Sequence, residues 1–190
     1  MENETFSPQQ SLLVIQSMIN KTKTQLGNNT FYLLLWGWLV FSACLLQYFL
    51  LVFIKYPKHY YAWFLMGIGV IASIIHASRS RRTQKIKTYV GESMGVLWTG
   101  MGIAFFTLWI ILMQAGWQYA FPLYILMYAT ATFISGGILQ FRPLQVGGAI
   151  CWGLAVAASY VSYQNQILFT AGAILVSYLV PGYLLKSKKA

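Results

Sequence analysis

Residues 31–54 read FYLLLWGWLVFSACLLQYFLLVFI, twenty-four positions without a charge. A hydrocarbon core of about 30 Å needs about 20 helical residues, so this stretch is long enough to cross a bilayer. Its apolar residues are continuous rather than alternating, which selects a helix over a strand of a membrane barrel. Outward from it, five more runs of similar length follow at 60–78, 89–114, 122–141, 146–163 and 167–185. The expected fold class is an all-α integral membrane protein with six transmembrane helices over 31–185, an N-terminal segment at 1–30 and a basic tail at 186–190.

The rest of the chain agrees with that reading. Of 190 residues, 58% are hydrophobic and 8% charged, whereas a soluble domain carries about 25% charged residues to cover its wet surface. A soluble globular domain and a disordered chain are both excluded. Thirteen Lys and Arg stand against Glu2, Glu4 and Glu92, with no Asp, for a net charge of +10. The basic residues fall between apolar runs, where anionic lipid headgroups rather than nucleic acid are the nearer partner. With the N-terminus in the cytoplasm, eleven lie inside and only Lys55 and Lys58 outside. That asymmetry predicts both termini cytoplasmic and an even number of spans. Tyr56, Tyr60, Tyr61, Trp117, Tyr119 and Tyr160 gather at the expected outer ends, as an aromatic belt would. The opening, with two Glu and no long apolar run before Phe31, does not read as a cleavable signal.

Ser7-Pro8-Gln9-Gln10 has the chemistry of a helix start and Gly27-Asn28-Asn29 that of a stop. Between them Leu12, Ile15, Ile19 and Leu26 share one face, with Lys21 opposite. The expectation is a separate amphipathic helix, lying on the cytoplasmic membrane surface or folded against the inner ends of the spans. This opening, running into Phe31-Tyr32-Leu33-Leu34-Leu35-Trp36-Gly37-Trp38, resembles an uncharacterised family of small multi-pass membrane proteins of Bacteroidetes-type bacteria. In that family a Ser-Pro-containing amphipathic helix leads into a Trp-Gly-Trp span. The resemblance is most specific over about residues 6–40. It implies a bacterial inner-membrane setting and brings no activity, cofactor or site residue with it.

A shift of 62 residues lays Leu35-Trp36 on Leu97-Trp98, Leu46 on Leu108, Leu50 on Leu112 and Ser73 on Ser135, a candidate repeat of three helical hairpins. Gly69 with Ser73, Gly91 with Gly95, Ala155 with Ser159, and the pairs Gly136-Gly137 and Gly147-Gly148 are expected helix–helix contacts, because small residues let helices approach in lipid. Pro181-Gly182 marks a kink or a loosened terminus in the last span. Cys44 and Cys151, both inside apolar runs, read as packing residues rather than a disulfide.

No span carries a charge near its centre, where one would mark function. The polar positions that remain are Gln47, the deepest, and His76 and Glu92; the two either face one another across the second and third spans or, the favoured reading, leave Glu92 paired with Arg79, Arg81 or a neighbouring Lys and His76 at the wet interface. The run 78–87, with Arg79, Arg81, Arg82, Lys85 and Lys87, reads as a membrane-surface basic loop. Two His and two isolated Cys do not suffice for a metal site, and His59 beside Tyr60 and Tyr61 lacks the third member of a catalytic set. No cofactor is expected. The chain therefore reads as a non-enzymatic subunit or regulator acting through helix and membrane-surface contacts, with a membrane-protein partner or a second copy as candidate partners. The alternative is a small transporter or binding protein for an apolar or aromatic solute, with Trp36, Trp38, Trp98, Trp109 and Trp152 lining its cavity. Transport predicts a partly polar cavity around Gln47.

Overall fold

The computed structural model describes the backbone of residues 8–83 and 89–187 and the side chains of 30–79 and 89–187. Helix α1 spans Pro8–Val52; a 3-10 turn at His59–Phe64 leads into α2, Leu65–Thr83. Then come α3, Tyr89–Ala115, α4, Ala120–Ile138, and α5, Arg142–Ser159. The last rod is α6, Tyr163–Ile174, a π turn at Leu175–Leu179, and α7, Val180–Ser187. All the described regular elements are helical. Five stretches among the described residues are long and apolar enough to cross a bilayer: Thr30–Val52, His59–Arg79, Tyr89–Ala115, Ala120–Ile138 and Tyr163–Ser187. The expected sixth, α5, has 18 residues, but Arg142, Gln145, Gly147, Gly148 and Gly153 dilute its apolar character. Its composition suits contact with other helices better than contact with lipid.

Two expected boundaries are corrected. Gly27-Asn28-Asn29 does not stop a helix: α1 is continuous for 45 residues. Gly and Asn each lose only about 0.5–1 kcal/mol in a helix interior, comparable to or less than the cost of leaving buried backbone groups at a helix break unpaired. The amphipathic segment is thus the lower part of α1, not a separate helix. Its Ser7 cap lies outside the described residues. The fifth helix starts at Arg142, not near Val146, because Pro143 occupies the first turn of α5, where its missing N–H does no harm. The preceding turn is tight. Phe141 N–H donates to Gly136 O and Gln140 N–H to Gly137 O, the Schellman pattern, with Gln140 at φ 51° in the position usually given to glycine.

Four rods make the core: α1, α4, α5 and the last rod. Hypothetical Cβ atoms show how close they come. One on Gly148 would lie 2.8 Å from Phe133 N and 2.9 Å from Ala129 O of α4. One on Gly37 would lie 2.9 Å from Leu179 Cδ2, and one on Gly182 2.9 Å from Leu34 Cδ2. The expected contacts at Gly136, Gly147, Gly148 and Gly69 are therefore real. Gly95 differs: nothing stands within 4 Å of its place for a Cβ. Helix α2 attaches to α1, where Trp36 Nε1–H donates to Ser73 Oγ at 3.2 Å. Helix α3 attaches to α4 through Phe105 and Tyr124, whose ring centroids are 5.7 Å apart. The 62-residue correspondence does not carry into this packing. Trp98, the counterpart of Trp36, stands edge-on to Tyr178 at 6.3 Å, and the hydroxyl of Ser135, the counterpart of Ser73, makes no well-formed hydrogen bond among the described residues.

The last rod owes its π turn to Pro181 rather than kinking or fraying there. Val180 N–H bonds Leu175 O, and Pro181 has no N–H to give. The carbonyl of Val176 consequently lacks a helical donor at either i+4 or i+5. It points at α5, where a Cβ on Gly147 would come within 3.0 Å of it.

Candidate functional site

Gln47 sits five residues before the end of α1 and is 1% exposed. Trp63 Nε1–H donates to Gln47 Oε1 at 2.6 Å. An indole N–H can only donate, which fixes the amide orientation and leaves the Gln47 NH2 facing the other way. That NH2 reaches His59 Nδ1 at 3.1 Å and the Tyr163 hydroxyl at 3.4 Å. His59 Nδ1 must then accept, so its ring proton is on Nε2. Phe121 closes the knot, 6.2 Å from Trp63 and 5.3 Å from Tyr163 by ring centroids. One side chain of α1 thereby holds the 3-10 turn and the start of α6 together. Both amide protons and one carbonyl lone pair are used, and side chains fill the volume around it.

A second polar group lies where α4, α5 and the π turn meet. Tyr128, Thr132 and Ser135 stand at i, i+4 and i+7 of α4, one helical face, and all three are buried. Their hydroxyl oxygens make no well-formed hydrogen bond among the described residues. Across from them Ser177 Oγ–H donates to Ala173 O at 2.7 Å and Cys151 Sγ–H to the same carbonyl at 3.3 Å. The Tyr128 and Tyr178 rings meet edge to face at 6.1 Å. Cys44 and Cys151 are both free thiols in the interior.

His76 stacks on Phe31 at 3.9 Å, nearly parallel, with Tyr32 edge-on at 5.4 Å. It is thus taken up by α1. Glu92 is exposed in the first turn of α3, where a carboxylate complements the positive end of the helix dipole. The expected loop at 78–87 is partly helix, since α2 continues to Thr83 and carries Arg79, Arg81 and Arg82 on its last turns. Lys85 and Lys87 lie outside the described residues. Among the described residues, no three of His, Cys, Asp and Glu come together.

Sequence reasoning singled out Gln47 but missed His59, Trp63 and Tyr163 as its partners, which come from 12, 16 and 116 residues away. It also missed the Tyr128, Thr132, Ser135 and Ser177 group. Two signals were readable there: the i, i+4, i+7 spacing, and a proline four residues after Ser177. Scans against known protein families, curated proteins and solved structures find no match to this chain.

Proposed function

We propose that the chain is a six-span protein of a bacterial inner membrane, with both termini cytoplasmic, that has no enzymatic activity of its own. It works through helix and membrane-surface contacts as a subunit or regulator of a larger assembly. The carrying observation is how α2 and α3 are held. Each rests on the core along one side, and among the described residues of α3 only Leu112 is buried. Gly67 on α2 and Gly95, Gly100 and Gly102 on α3 have open space where a Cβ would stand. In lipid, association depends on close packing, so uncovered glycines such as Gly95 and Gly102, seven residues apart on one face of α3, fit another helix. The arginines on the last turns of α2 support a seat at the anionic inner surface. At about 1.5 Å per residue the 18 residues of α5 cover about 27 Å, near the core thickness, which supports counting it as the sixth span.

A transporter would draw on the interrupted last rod and its hydroxyl group. The enclosed amide of Gln47, with both its protons and one carbonyl lone pair engaged by side chains, favours the first reading, because it occupies the place a solute would need. The test is cysteine cross-linking in native membranes at Gly95→Cys and Gly102→Cys, with Val156→Cys on the exposed side of α5 as control. Cross-linked species at the α3 positions and not at Val156 are expected. Only monomers at every position would refute the proposal.

A further inference from the structure

We infer that the groove between the outer end of α1 and the start of α2 is a binding site for an anionic phospholipid of the bilayer. The inference rests on the chain spanning a membrane, as proposed above. A recess of about 380 Å3 opens there, within the roughly 300–1,000 Å3 of small-molecule sites. Leu46, Leu50, Tyr61, Ala62, Leu65 and Ile68 line it. Ala62 is buried at its floor, while Leu46, Tyr61 and Ile68 are exposed at its walls, so it opens sideways rather than into the bundle. From Tyr61 to Ile68 the wall is seven residues long, roughly 10–14 Å of depth. That is less than half of a core of about 30 Å, the reach of one leaflet. An acyl chain is the occupant such a wall accepts.

The headgroup is specified by charge. Lys55 and Lys58 are exposed in the segment that joins α1 to the 3-10 turn lining the recess, and Lys58 Nζ stands 5.7 Å from the ring centroid of Tyr61, itself a wall of the recess. No Asp or Glu occurs between Glu4 and Glu92. Two ammonium groups therefore sit at the water end of an apolar slot without a carboxylate in their stretch of chain. A phosphate diester with a net negative charge, attached to an acyl chain, satisfies both ends. A zwitterionic lipid fills the slot too, but its own cation offsets the phosphate that the lysines would meet. These two lysines are the basic residues that the charge asymmetry leaves on the opposite side from all the others, and the site gives them a role that topology does not.

The experiment is native mass spectrometry of the full chain ejected from nanodiscs holding equal phosphatidylglycerol and phosphatidylcholine. Retained phosphatidylglycerol should predominate in the unsubstituted chain. Each of Lys58→Ala and Lys55→Ala should lower that preference about fivefold, the effect of one basic residue at an anionic surface. Ile68→Trp, at a slot residue that makes none of the Gln47 hydrogen bonds, should abolish retention of both lipids. Equal retention of the two lipids by the unsubstituted chain would overturn the inference. So would a preference that survives both lysine substitutions and disappears on replacing Arg79, Arg81 and Arg82, or a second copy cross-linked through Ile68→Cys. A chain that fails to enter nanodiscs at all would instead overturn the membrane-spanning reading.

Discussion

Gly148 is the position where one added carbon should do the most damage. It lies in α5 against α4, and a Cβ there would meet main-chain atoms, Phe133 N at 2.8 Å and Ala129 O at 2.9 Å. Ordinary contact begins at 3.4 Å, so α4 and α5 would have to part by about 0.6 Å. Neither obstacle is a side chain that can rotate away. Overpacking of this kind costs about 1–3 kcal/mol, and the helical preference of Ala over Gly returns up to about 1 kcal/mol. A net destabilisation of about 1–2 kcal/mol is expected for Gly148→Ala. Gly153, on the same helix, has nothing within 4 Å of the same carbon. Gly153→Ala should keep the propensity gain alone and stabilise by about 0.5–1 kcal/mol. The assay is reversible unfolding in mixed micelles titrated with SDS, both variants read against the parent by far-ultraviolet circular dichroism. Equal stability of the two variants would refute the claim that α4 and α5 pack through the Gly148 backbone.

Gln47→Leu should destabilise by about 1–3 kcal/mol, since it strands the Trp63 indole N–H and leaves His59 and Tyr163 without their common partner. In a Trp63→Phe background the same substitution should cost measurably less; an unchanged cost would show that the knot is not coupled. Gln140→Gly should stabilise by about 1 kcal/mol, because φ 51° is a conformation that costs an L-residue about that much and glycine nothing. A drop in thermal midpoint would contradict the turn geometry. For topology, Ser80→Cys and Ser187→Cys should resist an impermeant thiol reagent in intact cells, and Gln118→Cys and Asn165→Cys should react. The native Cys44 and Cys151 are buried and should contribute little background. Labelling at Ser80→Cys from outside would reverse the orientation.

Much of the fold was readable as charge-free runs, because lipid forbids what a soluble core merely discourages. The ends of α3 and the bounds of the first two spans came out within a few residues. The four-residue difference at the start of α5 arose because the apolar run begins only at Val146, whereas Pro143 in the first turn lets the helix start at Arg142. The error at Gly27 came from weighing local propensity above propagation from a helix already fixed by its neighbours. The candidate site was less legible. A lone Gln in an apolar run announces burial and a need for partners, but not that they are an indole, an imidazole and a phenol from two other elements. Tyr128, Thr132 and Ser135 look unremarkable in a membrane helix until α5 and the π turn are laid against them.

The continuity of α1 sets an angular phase between its N-terminal part and its apolar part. Leu26 and Leu33 are seven residues apart in one unbroken helix, about two turns, so by residue count the sequence positions 12, 15, 19 and 26 fall on the same line of the α1 backbone as Leu33, Gly37 and Cys44, which are buried. The lower part of α1 is therefore a crank keyed to the last rod, and its setting is written in the residue count between the two stripes. Inserting one residue after Asn28 would swing the lower stripe by about 100° without altering a single contact inside the bundle, and inserting seven would bring it back to within about 20°.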